Sequence, residues 1–121
     1  MQSLRLHEIL KYKLRTMNLN NFTIKAQEVL AQAQQEAFNN NNPNIETNHI
    51  LSVLVDDKEG SIDYLLKKSN ANPTFIKTKV DESISKLPKQ SGGDAGQAIS
   101  REANNVILRA GASLKEFNDE F

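Results

Sequence analysis

Apolar side chains recur at helical spacing along most of the chain. The first clear stripe has spacings of three and four and consists of Ala26, Val29, Leu30, Ala33 and Ala37. This spacing places all five on one face of a helix. Thr23 stands where a capping hydroxyl can accept a hydrogen bond from a first-turn amide. The helix is predicted to end in the tract Asn39–Asn42, because asparagines compete with the helical backbone and Pro43 disfavours helical geometry at Asn42.

A second helix is predicted after Thr47, which we expect to be its N-cap. Its buried stripe is predicted to be Ile50, Leu51, Leu54 and Val55. Residues 56–60 then form a turn, in which Gly60 is expected to adopt the left-handed conformation typical of such connections. Ser61 is predicted to cap the short helix that follows, whose apolar positions are Ile62, Leu65 and Leu66.

Two further helices complete the pattern. The Asn72-Pro73 pair is a strong start signal, because proline fits the first position of a helix. The apolar positions after it are Ile76, Val80, Ile84 and Leu87, and a Gly-rich loop follows from Pro88 to Gly96. Ser100 is predicted to cap the last helix, whose stripe is Ala103, Val106, Ile107, Ala110 and Leu114. No segment alternates with period two, so the fold class is predicted to be all-α.

The first and last stripes are related by a constant displacement of 77 residues. The same displacement relates the capping residues Thr23 and Ser100 and the preceding apolar residues Phe22 and Ile99. This indicates an internal repeat of four short helices. We therefore expect a first repeat plus linker over 17–98, and a second repeat that begins at 99 and is cut off at 121. The chain is then a fragment of a longer protein.

The net charge of zero is the sum of two segments with opposite net charges. Of 15 basic and 15 acidic residues, four basic and one acidic lie in residues 1–16, which leaves residues 17–121 at a net −3. The basic segment 1–16 is amphipathic, and we expect that it is not part of the domain that follows. The acidic remainder argues against binding to nucleic acid or to a membrane surface, which requires a basic excess. No apolar run reaches the roughly 20 residues of a membrane span.

Few residues could support catalysis or bind a metal ion. The chain has no cysteine and two histidines, His7 and His49. His49 with Glu46 is a poor start for a metal site, and a packed histidine in the first turn of a helix is the better interpretation. The sequence Ser91-Gly-Gly-Asp94 lacks the lysine of a phosphate-binding loop. Asp56 and Asp57 lack calcium-loop spacing. We therefore predict no catalytic, cofactor-binding or metal-binding residue.

Two sequence segments carry a resemblance to a known family. FTIKAQEVLAQAQQEA, followed by NIETNHILSVLV, resembles the repeat that forms the N-terminal domain of Clp ATPases. LPKQSGGD at 87–94 is similar to the inter-repeat linker of the ClpB branch, the disaggregating chaperones. The resemblance covers residues 17–121. It implies a bundle of short helices that binds unfolded or aggregated polypeptide in an apolar groove beside the first helix of the second repeat.

The resemblance also implies particular site residues. A family threonine important for binding matches Thr23, and an acidic residue matches Asp119. Two groove leucines of the family fall on Arg109 and Ser113, a departure that makes this groove less apolar. The helix face that would form the groove or the core beneath it consists of Val106, Ile107 and Ala110.

For the intact protein, the resemblance implies a cytoplasmic homohexameric AAA+ ATPase. Such a protein binds ATP and Mg²⁺, carries a coiled-coil insert, and works with a DnaK-type chaperone in protein refolding under stress. Two alternatives remain open. The chain could be the adaptor- or degron-binding domain of a Clp protease unfoldase, or a stand-alone helical protein-interaction domain.

Overall fold

The computed structural model describes residues 23–58, 60–90, 95–96 and 98–117. The side chains of 114–117 lie outside that description. The predictions for the segment 1–16, for Phe22, for residues 91–94 of the Gly-rich loop and for Asp119 therefore fall outside the described residues.

Five helices lie in the described part of the chain, which confirms the predicted all-α class. Their bounds are α1 Ile24–Asn39, α2 Thr47–Asp56, α3 Ser61–Lys68, α4 Pro73–Ser85 and α5 Arg101–Phe117. A small parallel sheet was not predicted. It pairs β1 (Asn44–Ile45) with β2 (Ala98–Ile99), with Ile45 opposite Ile99. Strands of two residues are too short to show a period-two pattern.

Three of the predicted caps are present. The Thr23 hydroxyl accepts from the amide of Ala26 at 3.1 Å, and the Ser100 hydroxyl accepts from the amide of Ala103 at the same distance. The carboxamide oxygen of Asn72 accepts from Thr74 and Phe75 at 2.9 and 3.3 Å. The matching geometry at Thr23 and Ser100 agrees with their equivalence in the predicted repeat.

Two other caps were predicted one residue too late. Glu46 is the N-cap of α2 and Gly60 is the N-cap of α3, so Thr47 and Ser61 are the first helical residues. Gly60 has a φ of −82°, so the predicted left-handed conformation is wrong. Its extended backbone is the ordinary geometry of an N-cap. The left-handed residues that the structure describes are Asn41, Asn70 and Gly96.

The core forms where α1 packs against its neighbours. Alanines on the inner face of α1 let the other elements approach closely, and Ala33 and Ala37 are completely buried beside Ile45 of β1. Leu30 and Ala31 pack against Ile107 of α5. Of the five residues of the predicted stripe, Leu30, Ala33 and Ala37 therefore lie in the core, whereas Ala26 and Val29 are half-buried.

The buried face of α2 differs from the prediction. His49, Ser52 and Val55 are almost completely buried, whereas Leu51 is 41% exposed and Ile50 and Leu54 are half-buried. Of the four apolar residues predicted to be buried, only Val55 is therefore fully inside. Helix α2 packs its polar residues into the core because they hydrogen-bond there, and this turns its leucines towards a cleft.

Candidate functional site

An apolar cleft lies between α2, α4 and α5. It has a volume of about 320 Å³ and is lined by eight residues: Thr47, Asn48, Ile50, Leu51, Leu54, Val80, Ser83 and Val106. None of these residues is charged. Leu51 and Val106 are 41% and 47% exposed, so the apolar lining is accessible from solvent. The cleft can therefore accept an apolar side chain of a polypeptide, and it offers no group for acid–base chemistry.

One end of the cleft is polar and fixed by hydrogen bonds. The Asn48 carboxamide donates to the Ser83 hydroxyl at 2.8 Å, which joins α2 to α4. The Ser83 hydroxyl donates in turn to the carbonyl of Val80 at 2.6 Å. These bonds fix the distance between the α2 and α4 walls of the cleft. Thr47 lines the same cleft.

Helix α5 forms the third wall and contains most of the residues implied by the family resemblance. Val106 lines the cleft, and Arg109, Ala110 and Ser113 follow it on the same helical face at spacings of three and four. Arg109 and Ala110 are exposed, and the Ser113 hydroxyl donates to the carbonyl of Arg109 at 3.0 Å. Ile107, the next residue along the helix, is buried against α1. The face of α5 thus continues from the cleft as a more polar surface.

Thr23 lies apart from this arrangement. It caps α1 and does not line the cleft, and its hydroxyl bonds to the backbone of its own helix. The structure therefore brings Val106, Arg109, Ala110 and Ser113 together on one surface and leaves Thr23 outside the cleft lining.

The α2 and α4 walls were not predicted as site residues. The sequence pattern predicts core positions at Ile50, Leu51, Leu54 and Val80, which line the cleft instead. The sequence contains one indication that α2 forms a wall of the cleft. This helix has more apolar residues than one buried stripe requires, and His49 and Ser52 lie between them. Which set faces inwards was decided by hydrogen-bond partners that are distant in sequence.

A buried histidine lies directly behind the cleft residues. The Nδ1 atom of His49 accepts from the amide of Glu46 at 2.8 Å, and its Nε2 atom lies 2.8 Å from the carboxamide oxygen of Asn42. Burial lowers the pKa of His49, and the nearby Glu46 carboxylate opposes that shift. The ring is therefore a neutral structural group, as the sequence indicated for the first turn of this helix.

A second, polar cleft lies on the side of α1, α2 and α4. The Ser52 hydroxyl donates to Glu36 at 2.8 Å and accepts from the ammonium group of Lys77 at 2.6 Å. Lys77 also pairs with Asp81 at 3.2 Å. Because Ser52 is completely buried, this chain of polar contacts connects three helices and offers no accessible nucleophile.

The described part of the chain shows neither a metal-binding cluster nor a membrane-spanning helix. No group of three histidine, aspartate or glutamate side chains there is placed to hold a metal ion. Among the helices that the structure describes, none combines the length and the apolar character that crossing a membrane requires.

Known proteins are similar to this chain in sequence. Chaperone protein ClpB of Porphyromonas gingivalis is 37% identical over 105 residues, and the ClpB of Bacteroides thetaiotaomicron is equally similar. The chaperone protein ClpB of Rickettsia felis is 32% identical over 106 residues. Each alignment covers 87% of this chain and 12% of the relative, so the chain spans about an eighth of their length. Residues 21–121 match the family described as the Clp repeat N-terminal domain. The chain therefore belongs to the Clp repeat N-terminal domain family.

Proposed function

We propose that this domain recruits substrates for a ClpB-type ATP-dependent disaggregase and binds unfolded or aggregated polypeptide. The observation that supports this proposal is the apolar, uncharged cleft between α2, α4 and α5, with Leu51 and Val106 partly exposed in it. Folded proteins bury such side chains, so a cleft of this kind selects chains that have not folded. In this proposal the domain binds, and another part of the intact protein acts.

The remaining features of the proposal come from the family. In the intact protein, ATP and Mg²⁺ would bind to ATPase modules outside this chain, and six copies would assemble into a cytoplasmic ring. A DnaK-type chaperone would cooperate with that ring in rescuing aggregates. Thr23 and Asp119 remain the residues that the resemblance marks for substrate binding. A contribution of Thr23 would come from the surface around the start of α1, since its hydroxyl caps that helix.

The cleft can be tested with a permanently unfolded probe. We expect Leu51→Ser and Val106→Ser each to weaken binding of fluorescently labelled, reduced and carboxymethylated α-lactalbumin about five- to tenfold, because each removes roughly 1 kcal/mol of apolar contact. Fluorescence anisotropy measures the affinity, and circular dichroism checks that each variant is folded.

The matched control is Leu108→Ser. Leu108 is on the same helix as Val106 and is 60% exposed, but it does not line the cleft. Its substitution should change the affinity less than twofold. Equal weakening by Leu108→Ser and Val106→Ser would refute the cleft as the binding site. A tight complex of the unaltered domain with a folded adaptor, and none with the unfolded probe, would favour the protease-unfoldase alternative.

A further inference from the structure

Residues 4–14 carry an apolar stripe that the function proposed above does not use. Its members recur at spacings of three, one and four, which is the pattern of one helix face. They are Leu6, Ile9, Leu10 and Leu14. With four basic residues and one acidic residue, the segment 1–16 has a net charge of +3, and the family match begins only at residue 21. A segment this short is marginal as an isolated helix in water, so its apolar side chains gain most by packing on another surface.

The apolar cleft has a suitable size and lining for the side chains of such a stripe. Its volume of about 320 Å³ is small for a binding pocket, so it admits a few side chains of a helix that lies across it. Leu51 and Val106 are partly exposed in the cleft, and none of its lining residues is charged. An amphipathic segment can cover these side chains while its lysines and arginines stay in solvent.

The connection between the stripe and α1 is long enough to reach the cleft. Ile107, the neighbour of the cleft residue Val106, packs against Leu30 of α1. Leu30 follows Thr23 by about 10 Å along the helix, and the axes of packed helices are about 8–10 Å apart. The start of α1 therefore lies within roughly 20 Å of the middle of α5. Residues 15–22 can span up to about 26–29 Å when they are extended.

We propose that residues 4–14 of the same chain dock in this cleft and close it to substrate. The inference deepens the proposed function and rests on it, because an unfolded polypeptide is the ligand that the segment excludes. A tethered segment has an effective concentration in the millimolar range, which a second copy of the chain does not reach in dilute solution. The opposite net charges of residues 1–16 and 17–121, +3 and −3, favour the closed form at low salt.

Because the chain contains no cysteine, disulfide cross-linking can test the docked form in the full chain. In a glutathione redox buffer, Leu10→Cys/Leu51→Cys should form an intramolecular disulfide at least about fivefold faster than the control Tyr12→Cys/Leu51→Cys. Tyr12 has nearly the same tether, but helical spacing places it on the other side of the segment. Leu10→Cys/Leu108→Cys should also react slowly, since Leu108 is exposed on α5 and does not line the cleft.

Release of the segment should strengthen substrate binding. In the full chain, Leu10→Ser/Leu14→Ser should bind the labelled unfolded probe about five- to tenfold more tightly, because a site that is free for only about a tenth to a fifth of the time binds that much more weakly. The matched control, Leu4→Ser/Tyr12→Ser, alters two residues off the stripe and should change the affinity less than about twofold. Val106→Ser should weaken binding more in the released variant than in the unaltered chain, where it also loosens the segment. Fluorescence anisotropy measures each affinity, and circular dichroism checks folding.

The outcomes separate this inference from the proposed function. Equal cross-linking rates for the Leu10 and Tyr12 pairs, or disulfides found only between two chains, would overturn the docking of the segment in its own cleft. If the unfolded probe still bound normally, the proposed function would stand without it. Fast cross-linking of Leu10→Cys/Leu51→Cys, in a protein that binds no unfolded probe even after release, would support the docking and contradict the proposed function. An affinity unchanged by Leu10→Ser/Leu14→Ser would refute the closure of the cleft to substrate.

Discussion

At the scale of single residues, Asn42 and His49 connect three separate parts of the chain. The Nδ1 atom of His49 accepts a hydrogen bond, so its Nε2 atom carries the proton and donates to Asn42. The Asn42 carboxamide donates to the carbonyl of Pro88 at 3.1 Å, and its backbone carbonyl accepts from Gly96 at 2.9 Å. The first turn of α2 is thereby joined to the connection that leads to α5.

This arrangement predicts an acid-sensitive stability. Because burial lowers the pKa of His49 below its ordinary value of 6.5, the unfolded chain binds a proton that the folded chain does not as the pH falls. The free energy of unfolding should therefore be highest above that value and decline below it until the pH reaches the lowered pKa of the folded state. Urea unfolding between pH 5 and 8 (roughly the range in which histidine titrates) measures this decline.

His49→Gln is the variant that isolates the effect. It should cost about 1–3 kcal/mol at neutral pH, because Asn42 and the Glu46 amide lose a buried partner. It should also remove most of the slope between pH 6 and 7, the interval just around the ordinary histidine pKa of about 6.5. His7 is present in the unaltered chain and in the His49→Gln variant. If the variant kept the same pH dependence of the unfolding free energy, the assignment to His49 would be contradicted.

The Asn39–Asn42 tract is predicted only to end a helix, but it also binds a distant segment through hydrogen bonds. Asn41 has a φ of 56°, in the left-handed region that asparagine tolerates better than most residues. Its carbonyl accepts from the amide of Gln90 at 2.7 Å, and that of Asn40 accepts from Lys89 at 3.1 Å. The tract therefore anchors the connection after α4, a role that depends on residues almost 50 positions away.

At the scale of elements, α5 has two faces with different tasks. Ile107 packs against Leu30 and Ala31 in the core, while Val106 faces the cleft. Beyond Val106, the same face carries the polar residues Arg109 and Ser113, so the apolar strip is interrupted after one helical turn. If the proposed function is correct, this polar end of the strip limits the length of apolar chain that the site accommodates.

Restoring the strip should therefore strengthen binding. We expect Arg109→Leu/Ser113→Leu to bind the unfolded probe about three- to tenfold more tightly, because the two leucines together add roughly 1 kcal/mol of apolar contact at the end of the cleft. Anisotropy with the same labelled probe measures the change. Arg101→Leu/Asn105→Leu, on the first turns of α5, is the comparison pair. Equal tightening by both pairs would mean general hydrophobic adhesion and not an extended cleft.

At the scale of the whole molecule, the position of α5 depends on its attachments to α1 and β1. The core contact of Ile107 with α1 is one, and the short β1–β2 pairing is another. The amide of Ser100 adds a hydrogen bond to the carbonyl of Ile45 at 3.0 Å. The cleft requires α5 in place, because Val106 is its third wall.

Loss of the Ile107 side chain should therefore loosen α5 and open the cleft. Ile107→Ala is expected to cost about 2–4 kcal/mol of unfolding free energy, since it leaves a cavity beside Leu30. Leu108→Ala, at a 60% exposed position, should cost less than about 0.5 kcal/mol. Urea unfolding gives both values, and hydrogen exchange should show the largest loss of protection in α5. Equal costs for the two variants would contradict the described packing of α5.

The sequence by itself determined the helical class, the order of the helices and the caps at Thr23, Asn72 and Ser100. These features depend on neighbours within four residues, and such local interactions can be recognised from spacing and residue type. The equivalence of Thr23 and Ser100 in an internal repeat stays a prediction from the sequence.

The tertiary structure alone decided which face of α2 points inwards, where the Asn39–Asn42 tract is attached and where the cleft lies. His49 and Ser52 are buried because Asn42, Glu36 and Lys77 satisfy their hydrogen bonds. Without those partners, burying them would cost more than burying the leucines. Their partners come from separate helices and loops, so periodicity could not identify the inner face. With that face filled by polar residues, Leu51 and Leu54 were left to line the candidate binding site.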